Sequence, residues 1–240
     1  MKQGYTHIHF ILDRTGSMES IKKDTIGGFN AFIKEQQAAP GEATMTLVQF
    51  DTQDPYEVII DRKPIKDAKE LTGRTFVPRG STPLYDAIGR GINELGKQLS
   101  DLPEDQRPEK VAFVILTDGE ENSSKEFVQS KVLEMIKHQK DVYNWQFMFL
   151  GANIDAIETA VGLGINPQAA ITFAASAIGT TSAYAGVARC MTAYRAGAEK
   201  LAFDAQSYSD QAAAGQQEPP NEGPGNLIGK FKSKKAKLTV

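Results

Sequence analysis

Two patterns of apolar residues alternate along the chain. Short unbroken apolar runs are expected to be buried strands, and stretches in which apolar positions return every three or four residues to be amphipathic helices. Thr6 to Leu12 is the first strand. Ile21 to Ala38 is the first helix, with Ile21, Thr25, Gly28, Phe29, Phe32 and Ile33 on one face and Pro40-Gly41 as its stop. Ala43 to Phe50 and Tyr56 to Ile60 are separated only by the turn-forming Asp51 to Pro55, which predicts an antiparallel hairpin with one strand at the sheet edge. The polar passage Asp61 to Arg79 reads as loop with a short helix around Ala68 to Leu71. Thr82 before Pro83 is a helix start, and Leu84, Ala87, Ile88, Ile92, Leu95 and Leu99 carry that helix to about Asp101.

Lys110 to Thr117 encloses Val111-Ala112-Phe113-Val114-Ile115-Leu116, the continuous run of a central parallel strand. Helix Lys125 to Lys140, strand Trp145 to Leu150, helix Ile154 to Val161, strand Ala170 to Phe173 and a helix from about Thr180 to Phe203 continue the alternation. The pattern predicts an α/β fold: a mainly parallel central sheet with one antiparallel edge strand and helices on both faces. One domain covers residues 1–203; residues 204–240 form a polar linker containing Pro and Gly and a basic C-terminal tail, whose residues 230–240 hold five lysines and no acid.

Composition narrows the chemistry. A net charge of −3 argues against a whole-surface nucleic-acid binder, and the single cysteine, Cys190, excludes a disulfide framework or a cysteine-rich zinc site. Met1-Lys2-Gln3-Gly4-Tyr5 leads into the first strand without an apolar signal region, and no apolar run approaches a membrane span. A cytoplasmic protein is expected.

The candidate chemistry lies at strand ends. The first strand stops at Asp13-Arg14-Thr15-Gly16-Ser17, an acid and two hydroxyl residues at alternate positions, where open α/β sheets present ligands. Oxygen-only side chains suit a hard cation such as Mg2+, although a hydroxyl-rich helix cap has the same appearance. Gly80-Ser81-Thr82-Pro83 opens the second long helix, and Thr117-Asp118-Gly119 ends the central strand. In order, spacing and context these three segments resemble the von Willebrand factor type A domain with its metal-ion-dependent adhesion site, over about residues 5–203. The family pattern has serine more often at position 15; threonine keeps the hydroxyl.

The resemblance implies Thr15, Ser17 and Thr82 as hydroxyl ligands, Asp13 and Asp118 as carboxylates holding the ion directly or through water, and Mg2+, Mn2+ or Ca2+ as the ion. It also implies a non-enzymatic binding module whose under-compensated cation takes a carboxylate from a protein partner. The runs Arg79 to Ile88, Leu116 to Ser124 and Phe149 to Asn153 resemble the short intracellular bacterial and phage branch, which suggests an adaptor in a bacterial or phage assembly.

Other readings compete for the same residues. A strand-end Asp with Thr and Asp-Gly downstream also suits a Mg2+-dependent phosphotransferase or phosphatase, but the second acid which that chemistry wants two residues on is here Thr15. The tail could bind nucleic acid through its lysines, or dock through Asn226 to Phe231 as a second partner contact within 226–240. Arg14 and Arg79 suit either an acidic partner or surface salt bridges, and Asp86 a structural hydrogen bond. Glu120 and Glu121 read as an exposed acidic loop, His7, His9 and His138 as satisfied structural histidines, and Trp145 as core.

Overall fold

The computed structural model describes residues 1–152 and 154–215. Asn153 and the tail segment 226–240 therefore lie outside the described residues. Six strands, β1 (Lys2–Asp13), β2 (Glu42–Phe50), β3 (Glu57–Pro64), β4 (Pro108–Thr117), β5 (Gln146–Ala152) and β6 (Ala170–Phe173), form one sheet in the order β3-β2-β1-β4-β5-β6. All neighbours are parallel except β2 and β3, so the antiparallel strand is at the edge as expected. The helices are α1 (Lys22–Ala38), α2 (Leu84–Ser100), α3 (Gln129–Tyr143), α4 (Ala156–Gly162), α5 (Ala177–Arg195) and α6 (Ala205–Ala213). Among the described residues, no helix is long and apolar enough to cross a membrane.

The alternation of β1 sends Phe10 to one face and His9 and Ile11 to the other. Phe10 meets Phe29 and Phe32 of α1 edge-on, at centroid distances of 5.5 and 5.7 Å, and stacks 6.2 Å from Tyr184 of α5. A Cβ on Gly28 would lie 2.3 Å from the Tyr184 ring, so glycine allows α1 and α5 to approach this closely. On the opposite face Gly91 of α2 lies directly over His9, Ile11 and Phe113.

Helix boundaries differ from the pattern where side chains take backbone groups. Ala68 to Leu71 is not helical: Asn30 bonds both the N–H and the C=O of Leu71, and Gln37 donates to the carbonyls of Ile65 and Ala68. A short 3-10 turn, Ile65–Asp67, precedes this stretch. The helix expected to run to Phe203 ends at Arg195, whose guanidinium donates to the carbonyls of Gln36, Ala39, Pro40 and Gly41 beyond and at the end of α1. Asp204, where the composition turns polar, accepts from Ser207 N–H as the cap of α6. Gln211 ties that helix to Gly179 and Ala174. Ordered structure thus continues past residue 203.

His7 and His9 are fully covered, and only His7 has a partner, Thr44 Oγ1 at 2.9 Å. Both ring nitrogens of His9 lack a hydrogen bond among the described residues, and the ring stacks on Phe113 at 4.6 Å. The expectation of satisfied histidines holds only in part. Burial pulls the His9 imidazole down to about 3 and lowers His7 as well. The unfolded chain therefore takes up protons near pH 6.5 that the folded chain refuses, so stability is lost as pH falls from about 6.5 towards 3. In urea titrations across this range, His9→Phe should flatten the acid slope by on the order of 1 kcal/mol per pH unit. An unchanged slope contradicts a neutral buried His9.

Candidate metal centre

The topology opens a crevice where the sequence places its acids. From β1 the chain goes outward to β2 and β3, then returns to β4 on the other side of β1. Connections leaving the carboxyl ends of β1 and β4 diverge there, the position at which open α/β sheets bind ligands. Leu12 pairs with Leu116, so Asp13 and Thr117 end adjacent strands side by side.

Asp13 is fully buried, yet it is ionisable. Its Oδ1 accepts from Thr15 N–H at 2.6 Å and its Oδ2 from the Thr117 hydroxyl at 2.6 Å. Burial pushes its carboxyl up to about 7; the bonds from Thr117 and Thr15 counter that rise, and the charge of Asp118 adds to it. Ser17 Oγ donates to Asp118 Oδ1 at 2.6 Å and lies 3.2 Å from Thr15 Oγ1. Burial raises the Asp118 carboxyl too. Thr82 completes the group from the far loop: a Cβ on Gly119 would lie 3.5 Å from Thr82 Oγ1 and 4.0 Å from Ser17 Oγ.

Thr82 does not cap its helix. The residue before α2 is Pro83, and no side chain caps it. The Thr82 backbone is instead fixed by Asn122, whose Oδ1 accepts from Thr82 N–H at 2.9 Å and whose N–H donates to Thr82 O at 3.1 Å. Glu121, read from sequence as exposed loop, is half-buried and accepts from the N–H groups of Tyr85, Ser123 and Ser124. Asp86 accepts from the N–H groups of Lys125, Glu126 and Phe127, the structural role expected of it. This delays α3 to Gln129, beyond the predicted start at Lys125.

The structure thus gathers Asp13, Thr15, Ser17, Thr82 and Asp118 at one end of the sheet. The set is two carboxylates and three hydroxyls without nitrogen or sulfur, a donor chemistry that fits a hard divalent cation. Among the described residues, no cluster of three His, Cys, Asp or Glu side chains offers a competing metal site.

Three participants escaped the sequence reading. Thr117 is the hydroxyl partner of Asp13. Arg14, expected at the surface, is 4% exposed and paired to Asp51 and Glu57. Asp51, read as a turn former, is fully buried at the end of β2. The available signal was its position: like Asp13 and Asp118, it is an acid directly after or at the end of an apolar strand.

Solved structures of low sequence identity share this fold. The pilus adhesin SpaC from Lactobacillus rhamnosus GG, in an open conformation, superposes with a TM-score of 0.59 at 14% identity, over 80% of this chain and 30% of that one. The proximal thread matrix protein 1 from the mussel byssus, with a zinc-occupied MIDAS motif, gives 0.53 at 13%, over 79% and 46%. A von Willebrand factor type A protein from Catenulispora acidiphila gives 0.52 at 17%, over 80% and 43%. The chain spans less than half the length of each of these. No family model matches the sequence, and no curated protein does.

Removing the Asp86 carboxylate strands three backbone N–H groups. Asp86→Ala should therefore lower stability in urea by at least about 2 kcal/mol. A loss below about 0.5 kcal/mol would show that the 121–127 loop does not depend on it.

Proposed function

We propose that this chain, which has the fold of a von Willebrand factor type A domain, is a divalent-metal-dependent protein-binding module that captures an acidic residue of its partner. The observation that carries this reading is the position of Ser17 Oγ within hydrogen-bond reach of both Thr15 Oγ1 and Asp118 Oδ1, with Thr82 beside it across Gly119. Ser17, Thr15 and Thr82 would offer neutral oxygens, and Asp13 and Asp118 would hold the ion directly or through water. A bound Mg2+, Mn2+ or Ca2+ supplies positive charge that so few anionic ligands under-compensate, which a partner's carboxylate then completes. Gly16, Ser17, Gly80 and Ser81 are exposed at this end of the sheet, while Thr15 and Thr82 are buried behind them.

The buried Asp13 supports a scaffold role over a nucleophilic one. It has no exposed surface from which to attack a substrate, and Thr15 N–H and the Thr117 hydroxyl fix its two oxygens while each keeps a lone pair for the ion or its water. The proposed module is accordingly non-enzymatic. The runs 79–88 and 116–124 support an adaptor of the short bacterial and phage branch, working in the cytoplasm. A second contact through 226–240 belongs to the same proposal.

Magnesium titration by calorimetry and affinity capture in magnesium or chelator test it. Asp13→Ala and Asp118→Ala should retain the wild-type circular dichroism spectrum and lose both ion binding and ion-dependent capture. Cation-dependent capture surviving in both variants would sink the reading. Magnesium-dependent turnover of phosphorylated substrates, abolished by Asp13→Asn, would replace it with the enzymatic one.

A further inference from the structure

Arg14 stands inside the Asp13-x-Thr15-x-Ser17 motif but bonds to the neighbouring hairpin. Its Nε donates to Asp51 Oδ2 at 2.9 Å, and its Nη2 lies 2.7 Å from the same oxygen. Its Nη1 donates to Gln49 Oε1 at 3.2 Å and to Glu57. Arg79, from the loop that carries Thr82, donates through Nε to that same Asp51 oxygen at 2.9 Å. The other Asp51 oxygen accepts from the N–H groups of Gln53 and Asp54, at 2.6 and 3.1 Å, which fixes the carboxylate in the turn between β2 and β3.

The backbone follows the same pattern. Arg14 N–H donates to Phe50 O at 3.1 Å, Arg79 N–H to Arg14 O at 2.9 Å, and Gly16 N–H to Gly80 O at 3.1 Å. Ser81 N–H donates to Thr52 Oγ1 at 3.1 Å. Gly80 has φ +70°, and a Cβ there would lie 2.6 Å from that hydroxyl, so the loop rests directly on the turn. Two segments distant in sequence, 13–17 and 79–82, are thus joined to each other and to one carboxylate.

The geometry points to Arg14 and Asp51 as a positioning pair that sets the hydroxyls of Thr15, Ser17 and Thr82 in register for the cation. This deepens the metal reading above and rests on it. The pair acts through shape. Two arginines face two acids, Asp51 and Glu57, so the hub's charges balance and its contribution to the field at the ion is small. The planar guanidinium fork of Arg14 spreads its donors over separate nitrogens toward three acceptors, a spread that a lysine ammonium, with all its donors on one nitrogen, does not reproduce. Positions that orient metal ligands without touching the ion are worth about 10- to 100-fold in metal affinity.

The test is Mn2+ titration followed by electron paramagnetic resonance on the full chain, combined with amide hydrogen exchange of the metal-free protein. Wild type is compared with Arg14→Lys, Asp51→Asn, Glu57→Gln and Asp118→Ala, native packing being checked by near-ultraviolet circular dichroism. Arg14→Lys and Asp51→Asn should each weaken Mn2+ binding by about tenfold or more. Both should also speed exchange at the Gly16 and Arg79 amides, which join the two segments. Glu57→Gln, at a half-exposed partner, should change affinity by less than about threefold.

Unchanged affinity and exchange in Arg14→Lys overturn the positioning role. A loss confined to Asp51→Asn also overturns it, because removal of one negative charge then accounts for the effect. If Arg14→Lys lacks the native signal, Arg79→Lys carries the same expectation from the other loop, and unchanged affinity there overturns it. Wild type and Asp118→Ala binding Mn2+ alike overturns the metal reading itself, and this inference with it.

Discussion

A carboxylate at the end of β1, wholly removed from water, is the constraint to which the rest of this structure answers. Asp13 has no exposed surface. Burying a charge without compensation costs far more than any one contact returns. The chain supplies two donors, Thr15 N–H and the Thr117 hydroxyl, and they do not fully offset burial, which pushes the carboxyl up to about 7. Asp118, the nearest like charge, pushes it in the same direction. A protein that keeps two acids this close at the mouth of a crevice maintains a local deficit of positive charge. On the proposed reading a divalent cation fills that deficit, and the partner's acid then completes the cation.

The surrounding loops hold the hydroxyls at the crevice, where Ser17 bonds within the site to Asp118 and Thr15, and relieve Thr82 of helix capping. Thr82 caps no helix, because its backbone is bonded to Asn122 and α2 begins after Pro83. Glu121 and Asp86 between them accept backbone N–H groups across residues 85 and 123–127, taking on the capping work that hydroxyls often do elsewhere. On the other side Arg14 and Arg79 converge on Asp51. Breaking one partner of such a buried pair leaves an uncompensated charge, so the arrangement resists drift of either loop.

The elements legible in the sequence were those whose cause is local. Continuous apolar runs located the strands, and the short Asp51 to Pro55 link correctly gave an antiparallel edge. The strand-end acids and the alternate hydroxyls singled out two segments, the resemblance to the von Willebrand factor type A domain added Thr82, and the fold brings all five residues to one end of the sheet. What stayed illegible was set by long-range side-chain bonds. Asn30 and Gln37 keep 68–71 out of a helix from positions about forty and thirty residues away. Asp86 postpones α3, and Arg195 closes the end of α1. Arg14 and Asp51 lie 37 positions apart, and neither residue type announces a buried ion pair. His9 differs in that periodicity gives its face but not that the face offers the ring Phe113 rather than a hydrogen-bond partner.

The central claim is that Asp13, Thr15, Ser17, Thr82 and Asp118 hold one divalent ion. Crystals grown with Mn2+ and measured on both sides of the manganese absorption edge test it most directly. A single strong anomalous peak is expected at the carboxyl ends of β1 and β4, within coordination distance of Ser17 and Thr82 oxygens and of Asp13 or Asp118, directly or through one water. No peak there in crystals that diffract well, or a peak held by other residues, would contradict it.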